Sequence, residues 1–152
     1  MQEFERIDLA FQDAGHSAET IEEILRVGEV GWELLISGGV ELRVHHEDEQ
    51  QMLVFAADVG TPVTTNLLPL YTALLQFNQL HTETGGAMMT VDTEGGIELV
   101  FRMNTALVEP HVLQYAVENL AHKVLLWRTA LHGEPTDADE SDHTLIDARM
   151  MV

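Results

Sequence analysis

Cysteine is absent from the chain, and this excludes several kinds of chemistry at once. Without thiols there is no disulfide, no thiolate nucleophile and no thiolate metal site, which fits a protein of a reducing compartment. The chain also lacks an apolar run of about 18 residues, so we expect no membrane-spanning helix. Its opening stretch, MQEFERIDLA, has no basic segment followed by an apolar core, and we expect no secretory signal.

Basic residues are few. The chain has 7 Lys and Arg against 26 Asp and Glu, which gives a formal net charge of -19. Nucleic acids and anionic membranes are bound through basic surfaces, so we expect neither as a partner. The acidity keeps the protein soluble and favours a basic or neutral partner.

Apolar residues, in contrast, are sufficient for a core. The chain has 152 residues, of which 45% are hydrophobic, and this predicts one domain over residues 1–132. Residues 133–152 change in composition, and we expect them to form a disordered acidic tail. The acids of this tail are Glu134, Asp137, Asp139, Glu140, Asp142 and Asp147.

Three helices and one weaker candidate follow from the apolar spacing. Residues 4–14 have apolar positions three and four apart and Gly15 as a stop, and residues 66–80 have Pro69 in the first turn. The third helix starts at Pro110 and is closed by Gly133. Residues 17–27 are ambiguous, and we assign them a short helix. The 66–80 helix is apolar on two sides, which suggests that another subunit covers one of them.

Five strands are predicted between these helices. Alternating apolar residues mark strands over residues 32–37, 40–45, 87–92 and 97–103, while residues 52–59 are apolar on both faces. Short turns rich in glycine join neighbours, as at Gly38–Gly39, so the strands must pair antiparallel. The order predicts an α+β fold with helices packed on an antiparallel sheet.

The sequence shows no signature of catalysis. It contains no phosphate-binding glycine loop, no nucleophile elbow and no zinc-protease motif, so we predict no catalytic residues and no cofactor. His45 and His46 are adjacent on a strand and point to opposite faces, and His111 and His122 on one helix are roughly 16 Å apart. We therefore predict no metal site. The acids at residues 47–49 fit a solvated turn.

Apolar side chains exceed what one core needs. Phe4, Phe11, the strand at residues 52–59, Met88 and Val100 form this surplus. Exposed apolar surface usually marks a partner site, and seven methionines suit an adaptable one. The alternative is that these residues are simply core.

A set of spaced motifs resembles the type III secretion chaperones that serve translocated effectors, the Tir-chaperone-like class I family. The resemblance covers about residues 2–132. Its motifs are Gly60-x-Pro62, Leu67-Leu68 to Leu74-Leu75 with Asn78, Gly85-Gly86-Ala87, Asp92 with Glu94-Gly95-Gly96 and Leu99, and Trp127 in the last helix.

The resemblance implies a homodimer with a sheet of about five strands in the order α-β-β-β-α-β-β-α. It implies a bacterial cytoplasmic protein that uses no ATP and binds the N-terminal segment of effector proteins in extended form. Docking on the secretion-system ATPase is also compatible with it. The dimer interface is then expected at Leu67, Leu70, Leu74, Phe77 and Met89. The partner-binding groove is expected at Phe4, Phe11, Leu53, Phe55 and Val100.

Two other functions remain open. One is a regulatory module of the same fold that binds a folded partner without catalysis. The other is a small-molecule carrier or an enzyme, which would need a deep pocket with converging polar groups.

Overall fold

One antiparallel sheet of six strands organises the chain, in the order β1-β2-β3-β4-β6-β5. The computed structural model describes residues 2–63, 65–80, 82–83 and 85–132. The strands are β1 Ile21–Val27, β2 Gly31–Ile36, β3 Val40–Glu47, β4 Met52–Gly60, β5 Met88–Val91 and β6 Ile97–Asn104. The helices are α1 Glu3–Ser17, α2 Leu68–Gln79 and α3 Pro110–Leu131, and a short 3₁₀ turn at Thr105–Leu107 precedes α3. The predicted α+β class is confirmed.

The predicted hairpins form as expected. Gly38 and Gly39 have φ angles of 94° and 80°, which glycine adopts without strain, and they join β2 to β3. Between β5 and β6, Asp92 Oδ1 accepts hydrogen bonds from the backbone N–H groups of Glu94 and Gly96, both at 2.8 Å. This carboxylate therefore stabilises the turn.

The short helix predicted over residues 17–27 is wrong, because Ile21–Val27 is the edge strand β1. A register shift between Ile21 and Glu23 explains the misleading pattern. Ile21 pairs with Ile36 and Ile24 with Leu34, so the irregularity turns two residues three apart to the same face. A spacing of three therefore imitates a helix.

Gly15, predicted to end the first helix, lies inside α1. A Cβ at this position would lie 2.8 Å from Ile24 Cδ1. The missing side chain thus lets α1 approach β1 closely, which is a packing role and not a helix stop. Gly133 and the tail at residues 133–152 lie outside the described residues.

The helices cover one face of the sheet, and the core lies between. The rows of β3 and β4 that face the helices are buried, and they include Leu42, Val44, Leu53 and Phe55. The opposite face is partly polar, and there Arg43 pairs with Asp58 and Glu98. No helix among the described residues is long and apolar enough to cross a membrane.

Candidate protein-binding site

Aromatic rings close one end of the helix-covered face. Phe4 stacks on Trp32 with ring centroids 4.7 Å apart, and Phe11 contacts the same indole at 4.9 Å. Phe55 continues the cluster, 6.4 Å from Phe11. We call these four residues the aromatic end. They lie on α1, β2 and β4, so the cluster fixes α1 on the sheet.

The polar groups around the aromatic end are paired. Trp32 Nε1 donates to Asp8 Oδ1 at 2.8 Å, and Arg6 donates to the carbonyl oxygens of Val108 and Thr105 at 2.9 and 2.7 Å. These bonds join α1 to β2 and to the segment before α3. A site with satisfied polar groups and packed rings has little capacity for a ligand.

Glu3, His46 and Asp48 meet beside this end. Their ligand atoms lie within 4.8 Å of one another, and His46 Nε2 is 2.9 Å from Glu3 Oε1. One imidazole nitrogen and two carboxylate oxygens are a donor set that Zn²⁺ or Mn²⁺ accepts. His45 is exposed and His46 is buried, in agreement with the opposite faces expected for adjacent strand residues. The group could not be recognised from the sequence, because Glu3 is distant from His46 and Asp48 in the chain.

The five predicted partner-binding residues fall into two sets. Phe11, Leu53 and Phe55 are 0%, 0% and 1% exposed and lie in the core. Phe4 and Val100 are only partly covered. The first three residues therefore occupy core positions, which was the alternative stated for them from the sequence.

The predicted interface residues also lie largely inside the chain. Leu70, Leu74, Phe77 and Met89 are buried, and Leu67 is partly buried against the core. The apolar side chains of α2 that face solvent are Leu68 and Leu75, which are 75% and 69% exposed. α2 thus carries apolar side chains on its outer side as well, at Leu68 and Leu75.

Asn78 joins α2 to the edge strand β5. Its Nδ2 donates to the carbonyl oxygen of Met89 at 2.9 Å, and its Oδ1 accepts from the Met89 N–H at 2.7 Å. Both polar groups of one strand residue are thus satisfied by a helix side chain. Asn78 therefore fixes the position of α2 relative to the edge strand β5.

A cleft of about 690 Å³ opens between β6 and α3. Its apolar lining comes from both elements and from the 3₁₀ turn, and Leu107 and Tyr115 remain 61% and 72% exposed. The larger apolar residues are Phe101, Met103, Leu107, Val112, Tyr115 and Leu120. Polar side chains at its wall include Arg102, Asn119, His122 and Lys123. We call this region the open cleft.

A strand edge lies next to the open cleft. β5 pairs with β6 only as far as Met88, which is opposite Val100. Residues 101–104 of β6 therefore have no described strand on their outer edge. Edges of this kind accept an added strand, and the cleft lies beside this one.

Two charged groups on these surfaces have shifted pKa values. Burial lowers the pKa of Lys123 at the wall of the cleft. Burial also disfavours the charge of Arg43, but hydrogen bonds and charges from Asp58 and Glu98 outweigh it and raise the pKa of this residue. The arginine is thus compensated by carboxylates, whereas the lysine is not.

Little in the amino-acid sequence indicated the open cleft. Val112 and Tyr115 stand three apart on α3, beside the apolar stripe that begins at Leu113. This second, narrower apolar side of α3 could have predicted an apolar surface outside the core. It is hard to recognise in the sequence because it lies beside the longer apolar stripe that includes Trp127.

A comparison with family models matches residues 32–128 to the Tir chaperone protein (CesT) family. A comparison with curated proteins finds no significant match.

Solved structures share the fold at low identity. The ExsC–ExsE complex aligns with a TM-score of 0.72 and 16% identity, covering 86% of this chain and 97% of that chain. The type III secretion chaperone SycH of Yersinia pestis, in complex with a stable fragment of YscM2, gives 0.63 and 16%, with 80% and 98% covered. The ExoU–SpcU heterodimer from the type III secretion system of Pseudomonas aeruginosa gives 0.56 and 16%, with 84% and 99% covered.

Proposed function

Because the chain belongs to the Tir chaperone protein (CesT) family, we propose that it is a type III secretion chaperone for effector proteins. It binds the N-terminal chaperone-binding segment of an effector in extended form and keeps it soluble and export-competent. The family resemblance deduced from the spaced motifs agrees with the family match. The similar solved structures include a chaperone–effector complex, that of HopA1 and SchA.

The observation that carries this proposal is the open cleft beside a strand edge. An extended segment adds main-chain hydrogen bonds at such an edge and places alternate side chains in an apolar groove. The exposed side chains of Tyr115 and Leu107 and the partly buried ring of Phe101 provide that groove. Ordering an unfolded segment costs conformational entropy, and burial of these groups offsets the cost.

Within the partner-binding set predicted from the sequence, we assign direct client contact to the partly exposed residues alone. Val100 lies on β6 and opposite Met88, and Phe4 lies at the aromatic end, so both keep surface for a client. Phe11, Leu53 and Phe55 support the client surface from the core beneath it. The client therefore follows the outer parts of the molecule and contacts the aromatic end only at the exposed side of Phe4, without reaching its buried rings.

We further propose that the chain is a homodimer through the outer side of α2 and the edge of β5. Leu68, Leu75 and Val91 expose apolar surface there, and β5 has no described strand on its outer side. The predicted interface residues Leu67, Leu70, Leu74, Phe77 and Met89 shape this surface from within. Light scattering should give about twice 17.0 kDa for the chain, and Leu75→Asp should give the monomer mass. A monomeric wild-type protein at micromolar concentration contradicts this interface.

The proposed function requires no catalysis. The family is a chaperone family, and the proposal assigns no catalytic residue, cofactor or ATP use to this chain. We place it in the bacterial cytoplasm, where effectors are held before export. The secretion-system ATPase is a proposed second partner, reached while the client is bound.

Purification of the tagged chain from its native host tests the function. We expect a copurified protein that resists limited proteolysis over tens of residues near its N-terminus and is cleaved readily elsewhere. A fully folded partner would instead support the regulatory module. A retained small molecule without any protein would support the carrier.

A further inference from the structure

Lys123 is the only lysine in the sequence, and it lies at the wall of the open cleft. Its side chain belongs to α3, a helix with ample solvent contact, yet the residue is only 5% exposed. Lysines on helices normally extend their ammonium groups into water. The burial of this one therefore needs a reason.

The ammonium group of Lys123 has one polar partner among the described residues. Its Nζ donates to Asn119 Oδ1 at 2.5 Å, and no described carboxylate forms an ion pair with it. Each arginine that the structure describes is better compensated. Arg43 and Arg102 contact carboxylates, Arg6 and Arg128 contact carbonyl oxygens, and Arg26 lies over the Phe4 ring.

An ammonium with a single neutral partner destabilises the free protein, because burial removes it from water without an opposite charge. The lowered pKa of Lys123 has the same cause. In a chain with a net charge of -19, an internal carboxylate partner would have been easy to supply. Its absence among the described residues leaves the site for a carboxylate from outside.

We propose that Lys123 anchors a carboxylate of the client, carried between apolar side chains by the extended segment that fills the open cleft. The inference rests on the proposed function and specifies the client chemistry. The apolar lining accepts the flanking side chains, and the edge of β6 aligns the main chain. An acidic chaperone thereby selects an acidic position in its client.

The other titratable groups at the cleft are compatible with this anchor. Glu83, His122 and Tyr115 are exposed, and the guanidinium of Arg102 is shared with Glu47 at 3.4 Å. Glu83 is the one carboxylate among the described lining residues, and it forms no ion pair with Lys123. Glu83 and the net charge of -19 repel client acids in general, so the client segment should carry a single acidic residue, the one paired with Lys123, among neutral or basic neighbours.

Lys123→Met in the full chain tests the anchor, with His111→Gln as a control on an exposed residue of the same helix. We expect Lys123→Met to melt at the same temperature as wild type or higher, and to bind the copurified client at least tenfold more weakly. Lys123→Arg should recover part of the binding. Unchanged client affinity in Lys123→Met overturns the anchor, and a melting temperature lowered by several degrees shows a structural role instead.

Labelling of the amine distinguishes the possible sources of the carboxylate. Reductive ¹³C-methylation labels the single lysine side chain, and titration of its NMR signal against pH gives the pKa of Lys123. We expect this pKa to rise when the client binds. If deletion of residues 133–152 lowers that pKa in the free chain, the carboxylate belongs to the tail and the client anchor is wrong. If the pKa rises with protein concentration alone, the carboxylate belongs to a second copy, which also overturns it. Failure to recover any client contradicts the proposed function, and the melting temperatures still decide whether Lys123 is a structural residue.

Discussion

The aromatic end and the open cleft lie on the same face of one sheet. They differ in how completely their apolar side chains are packed and their polar groups are paired. At the aromatic end, the ring centroids of Phe4 and Phe11 lie less than 5 Å from that of Trp32, whose N–H group has a carboxylate partner. At the open cleft, Tyr115 is largely exposed and Lys123 is buried without a carboxylate. The first region holds the fold together, whereas the second keeps interactions available for a partner.

This difference separates stability from binding within one small domain. Substitutions at the aromatic end should unfold the chain, and substitutions at the open cleft should leave it folded and weaken its complexes.

Phe55→Asp should abolish folding. A large buried side chain lost from a core costs about 3–5 kcal/mol, and an unpaired buried carboxylate adds to that cost. The total is comparable with the whole stability of a small domain, about 5–15 kcal/mol. Circular dichroism and urea denaturation provide the measurement. Tyr115→Asp is the matched control and should stay folded, so a folded Phe55→Asp would show that the aromatic end is not essential.

Asp8→Ala should destabilise the chain by about 1–3 kcal/mol, because it leaves the Trp32 N–H without its acceptor. Asp13→Ala removes an exposed carboxylate from the same helix and should change the free energy of unfolding by less than about 0.5 kcal/mol. Equal effects of the two substitutions in denaturant titrations would contradict the role assigned to the Trp32–Asp8 bond.

Tyr115→Ala should reduce client affinity about tenfold or more while stability stays within about 0.5 kcal/mol of wild type. The reason is that the exposed ring of Tyr115 contributes little to the stability of the free chain, whereas in the complex it is buried against the client. Calorimetric titration with the copurified client measures the affinity. Leu9→Ala, an exposed apolar residue on α1, serves as the control, and an equal loss of binding in both variants would remove the cleft from the account.

The smallest expected effect is the pH dependence of Lys123. Its pKa in the folded chain is lower than its unfolded value, so the folded state loses this proton first as the pH rises. The unfolded state then binds more protons, and stability increases with pH between the two pKa values. The stability deficit of wild type relative to Lys123→Met should therefore be full below the folded pKa and shrink as the pH approaches 10.5. A deficit that is constant across this range would show that the lysine charge is not its cause.

The sequence predicted the fold well where alternation was regular. The strands around Val40–Glu47 and Ile97–Asn104 and the helix after Pro110 could be placed because each has one buried face. It failed at Ile21–Val27, where a bulge brings Ile21 and Ile24 to one face. Such an irregularity is a property of pairing with β2 and leaves no distinct trace in a local pattern.

The candidate site was harder to predict than the fold. The sequence indicated more apolar residues than a simple core needs. Three of them, Phe11, Leu53 and Phe55, are nevertheless buried where α1, β2 and β4 pack together. Burial depends on which elements meet, and a single chain pattern does not specify that. The open cleft forms because β5 begins only at Met88, opposite Val100, while β6 continues beyond that pair to Asn104. This length difference becomes visible only once the strands are paired.

Hydrogen–deuterium exchange of the client complex tests the central claim most directly. We predict new protection at residues 101–104 and along the cleft side of α3, no change at the buried Phe11, Trp32 and Phe55 of the aromatic end, and protection of the client only over its bound N-terminal segment. Protection throughout the client, or protection of the chain confined to regions away from the open cleft, would contradict the account.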